Sequence, residues 1–275
     1  MRLAGRAYVA GTELDEALSV AQRLQAKGYA SSVAYWDPDG ANPEDVRHAY
    51  LSAAQRLGAN RANLDCYLSV KAPSVKFERA AFAQLVAECA KSDVRLHFDS
   101  LGPETADPTF ALADELLRDY RHVSITLPGC WSRSVRDAAW AIDRGIVVRV
   151  VKGQWPDMKD GTVDPVEGYL KVIGALAGKA AHVAVASHNP AVVGPALRIL
   201  TAEGTSCELE LLYGLPVEHV LAIANDMGVR TRIYIPYGYG WLPYSLSQAR
   251  RNPKIFWWIL KDMMQGSHRT GIYRQ

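Results

Sequence analysis

The strongest constraint in this sequence is an alternation. Eight short runs with strand character each precede a longer segment, and the first seven of those segments carry the apolar period of a helix. The strand-like runs fall at 31–36 (SSVAYW), 63–71 (NLDCYLSVK), 94–98 (VRLHF), 122–127 (HVSITL), 146–153 (IVVRVVKG), 182–187 (HVAVAS), 207–214 (CELELLYG) and 232–238 (RIYIPYG). Helical stretches between them include PEDVRHAYLSAAQRLG, FERAAFAQLVAECA, PTFALADELLRDY, SVRDAAWAIDRG, VEGYLKVIGALAG, PAVVGPALRILTAEG and VEHVLAIANDMG. One more, ELDEALSVAQRLQAKG, comes before the first run. Gly28, Gly58, Gly145, Gly178, Gly204 and Gly228 are expected to stop helices. Runs such as VVRVV and HVAVAS, without clean alternation, suit a parallel sheet covered on its face. Eight strand–helix units predict one (β/α)8 barrel over residues 1–275, with an extra N-terminal helix and a last helix over the mouth. A doubly wound sheet is the alternative. It calls for a glycine-rich phosphate loop after an early strand, and the chain has none.

The composition narrows the function classes. A net charge of +2 gives no electrostatic case for a nucleic-acid partner. Cys66, Cys89, Cys130 and Cys207 are scattered without metal-ligand spacing, as expected for reduced thiols in a cytoplasm. The opening MRLAGRAYVAG reads as no signal peptide, and no apolar run reaches membrane-spanning length.

In a barrel of this kind, functional groups gather where strands end. Those ends supply Trp36, Asp37, Lys71, His97, Asp99, the loop PGCWSR (128–133), Arg149, Lys152, Trp155, Ser187, His188, Asn189, Glu208, Glu210, Tyr213, Tyr234 and Tyr237. The set is rich in cations and aromatics and lacks the two-His-plus-carboxylate pattern of a zinc or iron site. It suits an anionic ligand with a flat ring: cations for phosphate or a ring edge, an aromatic for a ring face. A flavin nucleotide meets that description, and so does a sugar phosphate.

Taken together, the strand ends resemble the proline dehydrogenase family of FAD-dependent (β/α)8 enzymes. The resemblance runs from YVAGTELDEAL (8–18) to GWLPY (240–244). The family's SVK strand end is matched by Ser69, Val70 and Lys71, and its flavin motif by RVVKGQW, which brings in Arg149, Val151, Lys152, Gly153, Gln154 and Trp155. SHN (Ser187, His188, Asn189) looks like its THN flavin contact, and ELELLYG, with Glu210 and Leu212, looks like E-x-Q-x-L-Y-G. The lead into the last helix is matched by Tyr234 to Tyr244. The resemblance implies FAD, with Lys71, His97 and Tyr234 facing the chemistry and a lid helix closing over the substrate.

Departures cluster around the substrate. In the register fixed by W-x-P-Y, the arginine pair that clamps a carboxylate in the family falls on Ser247 and Gln248, with Arg250 and Arg251 further along. Tyr244, Ser247, Gln248 and Arg250 are therefore expected at the substrate, and Arg251 within reach of a cofactor phosphate. His97 stands where the family has Asp, Pro128 where it has Gln, Glu210 where it has the Gln of E-x-Q, and Arg251 where it has Glu. The expected activity is oxidation of a C–N or N–N bond of a small amine-type molecule by hydride transfer to flavin N5. The substrate would be other than free proline, in specialised metabolism, with an electron acceptor and oligomeric state left open. The alternatives are a proline dehydrogenase with a displaced arginine clamp, and a barrel that has lost flavin chemistry and binds a ligand or does non-redox chemistry. A visible spectrum separates them.

Overall fold

In the computed structural model of the chain, the described residues are 9–155, 157, 163–240 and 271–273. Eight parallel strands close into a barrel in sequence order: β1 Ala30–Tyr35, β2 Cys66–Val70, β3 Leu96–Phe98, β4 Val123–Pro128, β5 Val147–Val151, β6 Val183–Ala186, β7 Cys207–Leu212 and β8 Thr231–Tyr237. Helix α1 (Leu14–Ala26) precedes β1. Helices α2 (Pro43–Asn60), α3 (Arg79–Ala90), α4 (Ala106–Leu116), α5 (Ser134–Asp143), α6 (Pro165–Leu176), α7 (Pro190–Ala202) and α8 (Glu218–Asp226) follow the first seven strands. The expected barrel and N-terminal helix are therefore present. The expected lid helix falls on 241–270, outside the described residues. Gly58 does not end its helix, because α2 runs on to Asn60.

Three helices start by one local rule. Asn42, Asp164 and Asn189 each precede a proline, and each side chain accepts a backbone N–H of the first turn. The polar cap fills an orphan donor, and proline at the first helical position has no N–H to lose.

The apolar core lies between the barrel wall and the helices. Val33, Leu68, Phe98, Ile125, Val148, Val185, Leu209 and Ile233 face outward under the helices and are buried. The residues between them face the bore, and there the strands do alternate. Ser32 pairs in register with Tyr67, Ser69 with His97, His97 with Ser124, Thr126 with Arg149, Ala184 with Glu208, and Glu210 with Arg232. The bore is thus polar and charged, and the sheet is apolar only on the outer face that the helices cover. Serine and alanine at the inward positions hide the two-residue period from a hydropathy reading.

Helix α6 meets the end of β4 backbone to backbone. A Cβ on Gly168 would collide with the carbonyl of Gly129, whereas one on Gly174 of the same helix would meet nothing within 4 Å. Glycine to alanine inside a helix normally stabilises by about 0.5–1 kcal/mol. Gly174→Ala should follow that rule. Gly168→Ala should reverse it and destabilise by about 1–3 kcal/mol through overpacking. Urea midpoints of the two variants check the sign.

Candidate active site

Arg149 is the hub of the bore. It projects inward from β5 and is 4% exposed. Its Nε donates to Glu210 Oε2 at 2.8 Å and its Nη2 to Glu210 Oε1 at 2.9 Å, a bidentate pair. The same Nη2 donates to the Tyr67 hydroxyl at 2.8 Å, and Nη1 donates to Asp99 Oδ1 at 2.5 Å with Ser69 Oγ at 3.5 Å. A guanidinium has five N–H donors in a fixed fork, and these contacts occupy every direction. Burial works against the charge, but Glu210, Tyr67 and Asp99 outweigh it and hold the guanidinium above its usual pKa.

The pair spans a strand. Arg149 on β5 and Glu210 on β7 are separated by β6, whose inward residues at that height are Ala184 and Ala186. Neighbouring strands lie about 4.8 Å apart, so the arginine must stretch across roughly twice that distance, over two methyl groups. Glu210, 2% exposed, also accepts from Ser32 Oγ at 2.8 Å and from the Tyr67 hydroxyl at 2.9 Å. Below it, Arg232 Nε donates to Glu208 Oε1 at 2.7 Å. The Tyr67 ring lies between the layers, with Arg232, Arg95 and Arg149 at 4.8, 5.4 and 5.8 Å from its centroid.

Nearer the mouth, Asp99 is the junction. Its carboxylate takes Ser69 Oγ at 2.8 Å and the Tyr234 hydroxyl at 2.8 Å, besides Arg149. Trp36 Nε1 in turn donates to Tyr234 at 3.2 Å. Burial, then the charge of Asp99, raises the Tyr234 phenol well above its ordinary value, so it stays protonated as a donor. Lys71, at the end of β2, donates to Asp37 at 2.8 Å. This ion pair fixes the ammonium at the strand end.

His97 sits deeper. It is 1% exposed, with Nδ1 2.8 Å from Ser124 Oγ and Nε2 2.7 Å from Thr126 Oγ1. Burial, and then the charges of Arg149, Arg95 and Arg232, push its pKa well below the usual histidine value. Both ring nitrogens are engaged with the bore wall, which makes it a neutral strut.

The rim over β5, β6 and β7 forms a half-buried shelf. It comprises Val151, Gly153, Gln154 and Trp155, then Ser187 and His188, then Leu212 and Tyr213, with Lys152 and Asn189 exposed beside them. Trp155 is fixed by its carbonyl, which accepts Trp131 Nε1 at 2.6 Å. Gly153 has φ +91°, and a Cβ there would stand 2.9 Å from Pro128 Cβ, so only glycine fits this turn. Ser187 Oγ accepts the Asn189 N–H at 3.1 Å, and Asn189 caps α7. His188 Nε2 accepts the Leu212 N–H at 2.9 Å, which leaves the proton on Nδ1 to donate to the Pro216 carbonyl at 3.1 Å. That ring ties β6 to the loop after β7, and burial lowers its pKa.

The structure therefore brings Lys71, Arg149, Glu210 and Tyr234 to one end of the barrel, together with Asp37, Asp99, Tyr67 and Ser32. Arg149, Lys152 and His188 do not converge: the first points into the bore, the second is exposed, and the third turns sideways to the next loop. Tyr244, Ser247, Gln248, Arg250 and Arg251 lie outside the described residues. Tyr67 and Ser32 were missed as site residues. The signal for them is positional: Tyr67 lies two before Ser69 on the inward face of β2, and Ser32 pairs with it in register.

To a flat ring with hydrogen-bonding edges the shelf offers backbone groups, an indole and partly exposed polar side chains. Arg149 lies beneath that shelf without a spare donor, its charge already matched by Glu210 and Asp99.

No family model matches the chain. It is similar to proline dehydrogenase 1 of Bacillus subtilis subsp. natto, 23% identical over 282 residues that cover 96% of this chain and 92% of that one. It is likewise 23% identical over 282 residues to proline dehydrogenase of Deinococcus radiodurans, covering 94% and 89%. The similarity to proline dehydrogenases thus runs along nearly the whole chain, at low identity. Among solved structures, the fold matches proline utilization A of Bdellovibrio bacteriovorus with TM-score 0.77 and 17% identity over 88% of this chain. It matches proline utilization A of Bradyrhizobium japonicum with TM-score 0.68 and 20% identity over 86%. This chain covers only 32% and 29% of those two chains, so the likeness is to one part of each and concerns the fold.

Proposed function

We propose that this protein is an FAD-dependent oxidoreductase that oxidises the C–N bond of a small amine or imino acid. The observation that carries this reading is the joined rim and bore at one barrel end: a shelf on β5–β7 beside the Lys71–Asp37 and Tyr234–Asp99 pairs. The similarity to curated proline dehydrogenases over 96% of the chain supports it. Residues 151–155 and 187–189, with Leu212, would hold the flavin. When bound, FAD supplies the two-electron acceptor for hydride leaving the carbon next to nitrogen. Lys71, Asp37, Asp99 and Tyr234 would orient the amine, and Asp99 is the carboxylate placed to take its proton. His97, neutral and bonded on both nitrogens, would brace the bore.

We read the substrate as an amine without a clamped carboxylate, because Ser247 and Gln248 occupy the register of the family's arginine pair. The names of the relatives favour the competing reading, proline itself. An acceptor for the electrons is required in either case. Among the described residues no helix is long and apolar enough to cross a membrane, and we place the reaction in the cytoplasm.

The test is a visible spectrum of protein loaded with FAD, followed during anaerobic addition of pyrrolidine, L-prolinamide and L-proline. Bleaching by the first two and not by the third is expected. Equal bleaching by proline would sink the substrate reading. A colourless protein that takes up no FAD would sink the flavoenzyme.

A further inference from the structure

We propose that Glu210 is a positioning residue that sets the electrical environment of the flavin: by binding Arg149 through two donors it cancels the arginine's charge beneath the shelf and makes the flavin harder to reduce. The inference rests on the flavoenzyme reading above and concerns this chain's own residues.

The argument is one of charge and distance. A reduced flavin carries negative charge on its ring, which a nearby cation stabilises. The obvious cation here is Arg149, directly under the β5 end of the shelf. Its charge is matched by Glu210 at 2.8 and 2.9 Å and again by Asp99 at 2.5 Å. One cation and two carboxylates leave this upper cluster with a formal charge of −1. Two other cations are paired, Lys71 with Asp37 at 2.8 Å and Arg232 with Glu208 at 2.7 Å. Arg95, beside the Tyr67 ring, only brings the sum to zero, and Lys152 is exposed to solvent that screens it. His97, kept neutral by burial, adds nothing. The bore therefore offers the ring no net positive charge.

Glu210 is built to stay as it is. Ser32 and Tyr67 hold its carboxylate from two further strands, so it need not reorganise when the ring changes charge. With Arg149 and Glu210 both nearly sealed from solvent, their fields are weakly screened. A glutamine at this position would keep the shape, release the arginine's charge and leave Arg149 its contact with Asp99.

The experiment compares FAD-loaded wild type with Glu210→Gln and Asp99→Asn, using visible absorbance in equilibrium with a redox dye. Circular dichroism and flavin absorbance confirm that each variant is folded and loaded. At the wild-type midpoint, the ratio of reduced to oxidised flavin should rise about tenfold or more in each variant. If Glu210→Gln does not fold, Asp99→Asn decides. Folded, loaded variants that reduce at the wild-type potential or below overturn the inference while leaving the flavoenzyme reading intact. A wild type that takes up no FAD overturns both.

Discussion

Arg149→Met should be the most damaging single substitution in the bore, lowering stability by roughly 3–5 kcal/mol. The methionine fills much of the same space, so the cost is chiefly electrostatic. Glu210, 2% exposed, would keep only its hydroxyl partners Ser32 and Tyr67, and Asp99 would keep Ser69 and Tyr234. A buried carboxylate without its cation is far costlier than the absence of the whole pair. The double variant Arg149→Met with Glu210→Gln should therefore recover a large part of the loss. Urea unfolding of the wild type, both single variants and the double variant closes the cycle. If Arg149→Met unfolds within about 1 kcal/mol of wild type, the pair is no more valuable than a surface ion pair and the account of the bore fails.

Acid should weaken the fold in two stages, both with the same sign. His97 and His188 are held neutral by burial, His97 also by Arg149, Arg95 and Arg232. The unfolded chain takes up protons on these rings below about pH 6.5, while the native state refuses them. The unfolded state then binds more protons, so stability rises with pH and is lost as the pH falls. Each ring contributes at most about 1.4 kcal/mol per pH unit, until its own folded pKa is reached. The second stage belongs to Glu208 and Asp65. Burial pushes both carboxyls up, but Arg232 with His182 for Glu208, and Arg232 with Arg230 for Asp65, pull them below their ordinary values. Their stabilisation is complete above the unfolded values of about 4.3 and 3.9 and drains away below them. Urea midpoints between pH 7.5 and 2.5 read both stages. A flat profile from pH 7 to 5 would mean that the histidines are not shielded as described.

The barrel was legible because each strand and helix declares itself locally. The run 207–214 became Cys207–Leu212, and the stretch starting at Pro190 became Pro190–Ala202. Caps such as Asn42–Pro43 act within one turn and need no distant partner. The bore was not legible, because its bonds join residues 61 positions apart for Arg149 and Glu210 and 178 apart for Ser32 and Glu210. Alternation tells which residues look inward, but not which of several cations each carboxylate meets. Glu210, standing where the resemblance leads one to expect glutamine, meets its cation in Arg149. The grouping of Arg149 with Lys152 and His188 separated because the three stand in different settings: an inward strand position, an exposed loop, and a turn leading into a helix cap.

The two alanines on β6 act as a clearance gauge for the molecule's central ion pair. Arg149 reaches Glu210 only because Ala184 and Ala186 stop at a single carbon. A leucine at either site would block the crossing as surely as deleting a charge. Relatives that keep both charged partners should therefore keep β6 bare on its inner side, and any chain that thickens that strand should have surrendered the acid at 210 as well.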